Sequence, residues 1–193
     1  ATMNGTAVHN ISNCLAAIAL AKSLKIKKEP IINGLRNFGC SFADNPGRTN
    51  LIQKNGYTIL IDFAHNPHGM NALVTVVNNI PAKRKLLLIG QAGDRSNDDI
   101  ANLVKTASQM NLDQVIIAEI KKYLRGREPG EVPGIISNCF RENGIKECSI
   151  QYADDILGGI KKSIQFAEQD DLLVLLCLDQ KEEAFQFIEN GLN

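Results

Sequence analysis

The chain has 193 residues, enough to bury one full hydrophobic core and part of a second. Its 21 basic and 21 acidic residues balance to a formal net charge of zero, which argues against the strongly one-signed surface that nucleic-acid binding requires. No apolar run of membrane-spanning length and no signal peptide are read, and the five scattered cysteines (Cys14, Cys40, Cys139, Cys148, Cys177), without C-x-x-C spacing, read as reduced core thiols of a cytoplasmic protein.

The sequence opens at Ala1 without an initiator methionine and reads as a piece of a longer chain. From Ile11 to Leu24, apolar residues such as Leu15, Ile18 and Ala19 recur at helical spacing, with Asn10 or Ser12 as the cap. Glu29-Pro30 opens a second helix, carrying Ile31, Ile32 and Leu35, that Asn37-Phe38-Gly39 closes. Two helices cannot bury both of their faces alone, so this start must lean on something larger. The stretch 40–47 lacks any period and holds Asp44-Asn45-Pro46-Gly47, a turn signal that sets a domain boundary there.

Two apolar runs then flank Asn55-Gly56, which predicts a tight hairpin of Leu51–Gln53 with Thr58–Ile61. The pattern continues with a helix over Pro67–Asn79, a buried strand over Lys85–Ile89, a helix over Asp98–Met110, and a strand over Gln114–Ala118. A charged loop, Lys121 to Gly130, leads to a helix at about Glu131–Asn143, a weaker strand at Cys148–Tyr152 and a helix opened by Asp154 or Asp155. Leu172 to Leu178 is wholly apolar between acidic flanks, as a central parallel strand buried on both faces would be, and Lys181–Asn190 closes as an amphipathic helix. Alternating strands and helices predict a doubly wound α/β domain whose ligand sits at the carboxyl ends of the strands.

The polar residues gather at those ends. Arg48 precedes the first strand of the hairpin, and Asp62, His65 and Asn66 follow the second, just before Pro67 at a helix start. This set suits ribose hydroxyls or phosphate oxygens, with an ordinary Arg48–Asp62 ion pair across the sheet edge as the plainer alternative. Arg48 and Asp62 lie outside the apolar runs, so neither is expected to matter for folding, and His68 reads as a surface residue. Gly93-Asp94-Arg95 follows a buried strand, where glycine permits a tight turn and Arg95 can grip a carboxylate or phosphate. Lys121, Lys122, Arg125 and Arg127 crowd one loop that either recruits an anion or is simply solvated. No G-x-x-x-x-G-K-[ST] loop, H-E-x-x-H pair or Cys/His metal spacing is present, so a self-sufficient enzyme is not visible.

Four motifs in order resemble the carboxyl-terminal part of the Mur ligase family: Gly5-x-x-x-His9-Asn10-x-x-Asn13-x-Leu15-Ala16-Ala17, Pro46-Gly47-Arg48, Asp62-Phe63-Ala64-His65-Asn66-Pro67, and Gly93-Asp94-Arg95. Asn66-Pro67, the Gly93 loop and Leu124-Arg125-Gly126-Arg127 are more similar to the branch that builds an aspartate–arginine polymer than to the peptidoglycan enzymes. The resemblance implies an ATP-dependent ligase that forms amide bonds through an acyl phosphate, with Rossmann-like residues 46–193 following residues 1–45, the helical end of a central P-loop ATPase domain. It further implies that Asn10 and Asn13 approach the adenine, that Arg48, Asp62, His65 and Asn66 hold ribose and phosphates, and that Gly93, Asp94, Arg95, Arg125 and Arg127 face the amino-acid or peptide substrate. Magnesium ligands and the phosphate loop would belong to the upstream domain, leaving this chain inactive alone. Phe63 stands where the family often has tyrosine, keeping the ring without its hydroxyl. A non-catalytic α/β module that binds a nucleotide or an acidic metabolite, or a purely structural domain, is the alternative.

Overall fold

A computed structural model describes residues 7–39 and 41–190. Cys40 and Gly5, named above, lie outside the described residues. Six strands form one sheet: β1 (Asn50–Lys54), β2 (Tyr57–Asp62), β3 (Lys85–Ile89), β4 (Gln114–Ala118), β5 (Ile150–Ala153) and β6 (Leu172–Leu176). Their order is β1-β2-β6-β3-β4-β5, with β1 antiparallel to β2 and all other pairs parallel. The helices are α1 (Val8–Ser23), α2 (Lys28–Asn37), α3 (Pro67–Asn78), α4 (Asn97–Ala107), α5 (Glu131–Glu142), α6 (Ile156–Phe166) and α7 (Lys181–Asn190).

The hairpin turns where the sequence places it, because Asn55 (φ 52°) and Gly56 (φ 84°) both adopt the left-handed conformation that a two-residue turn needs. From β2 the chain skips one position to β3 and steps on to β4 and β5, then returns from β5 to insert β6 between β2 and β3. Right-handed crossovers put helices on one face while the chain moves one way and on the other when it reverses. Accordingly α3, α4 and α5 pack on one face, through Met70, Ile100 and Phe140, and α6 and α7 on the other, through Ile160 and Ile188. Every residue of β6 is fully buried, as the unbroken Leu172-Leu173-Val174-Leu175-Leu176 run demands of a strand covered on both sides.

Some boundaries differ from expectation. Helix α1 starts at Val8 with Ala7 as its cap and no side-chain capping bond, so Asn10 and Ser12 lie within its first turns. Strand β5 begins two residues late because Glu147–Ser149 form a 3-10 turn. Cys139 and Cys177 are core thiols as expected, but Cys148, in the 3-10 turn, is exposed and Cys14, on α1, is half-buried. Helices α1 and α2 expose Leu15, Leu20 and Leu35, and the residues that end them, Leu24 and Phe38, are exposed too.

Candidate functional site

Strand β6 is flanked by β2 and β3, whose following helices lie on the opposite face from α7, so crevices open on both sides of its carboxyl end. Two clefts occupy this region. The first, about 330 Å3, is lined by His9, Asn10 and Asn13 of α1, by Asn45, Arg48 and Thr49 before β1, and by Asp62, His65 and Asn66 after β2. The second, about 310 Å3, is lined by Phe63 and His65, by Gln91, Asp94 and Arg95 after β3, and by Tyr123 and Arg125. His65 belongs to both.

Asp62 organises the first cleft from within. Its Oδ2 accepts from the Thr49 N–H (2.8 Å) and the Thr49 hydroxyl (2.9 Å), and its Oδ1 accepts from the Ala64 N–H (2.8 Å). Thr49 has φ 54°, an uncommon conformation for a β-branched residue, and these two bonds hold it there. Among the described residues no ion pair joins Asp62 to Arg48, and Asp62 is only 8% exposed, so the expectation that it is dispensable for folding is corrected. The β-sheet's end and the loop before β1 enclose the carboxylate, and both of its oxygens are spent on its own chain. Burial pushes its pKa up, and the bonds from Thr49, Ala64 and Phe63 only partly offset that. Beside it, burial and the Asp62 charge push the Cys177 thiol up to about 12, so Cys177 is an inert neighbour.

Asp62 thereby fixes the residues next to its partners. Arg48 is exposed, with its guanidinium carbon 5.4 Å from the Phe63 ring centroid. The His65 ring packs tilted against Phe63 at 5.2 Å. Its Nδ1 lies 3.1 Å from the Phe63 carbonyl, which can only accept, so Nδ1 carries the proton and Nε2 is left to accept from a ligand when the ring is neutral. Asn66 caps α3, its side-chain oxygen accepting from the Gly69 N–H (2.8 Å), while Pro67 takes the first helical position. Asn13 donates to the Asn10 side-chain oxygen at 3.3 Å. His68 is exposed and lines neither cleft.

The second cleft is built by two loops. The Gly93 N–H donates to the Tyr123 carbonyl (2.8 Å), and a Cβ at Gly93 would fall 2.0 Å from the Leu124 oxygen, so only glycine fits this approach. Arg127 donates from Nε to the Gly93 carbonyl (2.9 Å), from one terminal nitrogen to the Arg95 carbonyl (2.7 Å), and from the other to Glu131 (2.6 Å). Its fork is thus used on the protein, and Arg127 is part of the wall instead of facing a substrate. Arg125 pairs with Asp94 and sits 5.3 Å over the Tyr123 ring. The side chain of Arg95 is exposed and has no ion-pair partner among the described residues.

Thr49 and Gln91 were not read from the sequence as site residues. Thr49 was legible only as a polar residue wedged between Arg48 and an apolar run, and Gln91 as an amide at the end of a buried strand.

The polar groups of the first cleft fit a nucleotide: an exposed guanidinium for phosphate oxygens, a ring nitrogen that can accept from a hydroxyl, and carboxamides that recognise a base or sugar. They do not fit magnesium, because no three His, Cys, Asp or Glu side chains converge to hold a metal among the described residues and the Asp62 oxygens are already engaged.

Known proteins are similar to this chain in sequence or in fold. The family model for the Mur ligase glutamate ligase domain matches residues 47–177. Cyanophycin synthetase of Trichormus variabilis (strain ATCC 29413 / PCC 7937) is 32% identical over 176 residues, covering 91% of this chain but 19% of the relative. Among solved structures, folylpolyglutamate synthase from Thermotoga maritima superposes with a TM-score of 0.63 at 20% identity, over 96% of this chain and 40% of that one. A bifunctional folylpolyglutamate synthase/dihydrofolate synthase from Yersinia pestis, complexed with AMPPNP and a manganese ion, gives a TM-score of 0.60 at 20% identity over 86% of this chain and 35% of that one. The family model spans well over half of the sequence and falls on the six-stranded sheet, and on that ground the chain belongs to the Mur ligase family.

Proposed function

We propose that this chain supplies the nucleotide-closing and amine-binding part of an ATP-dependent ligase that joins an amine to a carboxylate, in a reaction like that of cyanophycin synthetase. The observation that carries this reading is the placement of His65 in the wall of both clefts, so that a phosphate held on one side and an amine on the other would meet beside one ring. Arg48, steadied on Phe63, holds phosphate oxygens; His65 and Asn66 meet the ribose and phosphates; Asn10 and Asn13 reach the base from α1. Arg95, which makes no ion pair among the described residues, takes the carboxylate of the incoming amino acid, with the Arg125–Asp94 pair beside it. When bound, ATP supplies the phosphoryl group that turns a carboxylate into an acyl phosphate. Fixed positive charge at the transferring group is the main protein contribution to such chemistry.

In this reading residues 1–45 are the end of a preceding ATPase domain, which the exposed apolar residues of α1 and α2 would face, and 46–193 the terminal domain. The Phe42 ring stacks on Phe185 of α7 with centroids 3.8 Å apart, so the last residues before that boundary touch the terminal domain. With AMPPNP added to the chain, 1H–15N NMR should show shifts at Arg48, His65 and Asn66 that vanish in Arg48→Ala. Shifts absent at these residues, or unchanged in the variant, would sink the nucleotide reading. The chain alone should release no phosphate from ATP when amino acids are added.

A further inference from the structure

The clefts are carried by loops that the sheet does not join. The His65 loop follows β2 and the Gly93–Arg95 loop follows β3, and β6 lies between those strands, so no backbone ladder runs from one loop to the other. One side chain spans the gap. Gln91 is 4% exposed, and its Nε2 donates to the His65 carbonyl (3.1 Å) while its Oε1 accepts from the Ala92 N–H (3.1 Å). Among the described residues this is the direct hydrogen bond between residues 63–66 and 90–95.

We infer that Gln91 is a positioning residue that couples the two clefts, fixing His65 of the first relative to Ala92 and Arg95 of the second. The inference rests on the proposed function for what the clefts bind, but not for the coupling itself. The carboxamide suits the task because it is both donor and acceptor, and a buried amide so bonded is costly to displace. Each loop has its own anchor on the far side: Asp62 grips Ala64 on one, and Arg127 grips the Gly93 and Arg95 carbonyls on the other. With its outer flanks pinned, a displacement of His65 by a ligand is passed to Ala92 through the Gln91 bridge. The contrast between Gln91→Glu and Gln91→Leu isolates the bond, since glutamate keeps the size and the acceptor for Ala92 but sets an oxygen against the His65 carbonyl.

Two measurements on the full chain test this. Without ligand, amide hydrogen exchange at Ala92 should quicken about five- to tenfold in Gln91→Glu, which keeps the acceptor for the Ala92 N–H and loses only the bond to His65, the factor expected for one net hydrogen bond. Exchange there equal to the parent would overturn the inference whatever the clefts bind. With AMPPNP as probe, shifts at His65 should spread to Ala92 and Arg95 in the parent and stop at His65 in both variants. Spread that survives in both would also overturn it, as a merely structural Gln91 predicts, whereas a parent in which His65 itself does not shift refutes the nucleotide reading and leaves the exchange measurement to decide the coupling.

Discussion

At the amino end of β6, Asp171 is 1% exposed and accepts two bonds from Arg84, from Nε at 3.1 Å and from a terminal nitrogen at 2.6 Å, and one from the Glu168 N–H at 2.7 Å. At the carboxyl end of β2, Asp62 is nearly as buried, yet its bonds come from a hydroxyl and backbone amides, with no ion-pair partner among the described residues. The arginines divide the same way. Arg84, whose pKa the bond to Asp171 raises, is spent on the fold, as is Arg127, whereas Arg48 and Arg95 near the clefts make no ion pair among the described residues. Charge at the amino end closes the structure. At the carboxyl end it shapes loops and leaves cations for a ligand.

The sharpest way to break this contrast is Asp171→Ala, which leaves Arg84 without its main partner and frees the Glu168 turn. Loss of one partner from such a buried pair commonly costs about 3–5 kcal/mol, reduced here because Arg84 is partly exposed, so about 3 kcal/mol is expected from urea denaturation, with AMPPNP shifts unaltered in the protein that remains folded. Asp62→Asn should cost less, about 1–3 kcal/mol, because the new NH2 must face either Thr49 or Ala64, both of which donate. Its pH dependence carries a sign. The folded pKa is raised, so the stability it contributes is fully present below the unfolded value and is lost as pH rises through the folded one. The stability gap between parent and Asp62→Asn should therefore be widest in acid and narrow toward neutrality; a gap that widens with pH would mean that the neutral donors, not burial, dominate.

Arg127→Lys sharpens the second half of the comparison, since an ammonium cannot span the Gly93 and Arg95 carbonyls and Glu131 together. A loss of about 1 kcal/mol in thermal unfolding is expected, with faster amide exchange at Gly93. The smallest effect on stability belongs to Arg48→Ala, within about 0.5 kcal/mol, because its side chain is exposed and makes no ion pair among the described residues. Its AMPPNP affinity should nonetheless drop about ten- to a hundredfold, the usual scale for a charge-assisted bond. A large fall in melting temperature without a change in binding would move Arg48 to the structural class.

The alternation of strands and helices, the turn at Asn55-Gly56, the Asn66-Pro67 helix start and the doubly buried β6 were all legible in the sequence, because each depends on neighbours within a few residues. So was the gathering of Arg48, Asp62 and His65 around one hairpin, since a turn of two residues brings both strand ends together. What the sequence left open is which of these groups are spent on the protein. Asp62 finds Thr49 13 residues away, Gln91 finds His65 across 26, and Arg127 finds Gly93 across 34. The first lies across the β1–β2 hairpin, the second reaches past β6 between β2 and β3, and the third joins the loops after the paired strands β3 and β4; side-chain meetings of this kind are encoded by no local periodicity, and they decide that Asp62 and Arg127 hold loops while Arg48 and Arg95 remain available.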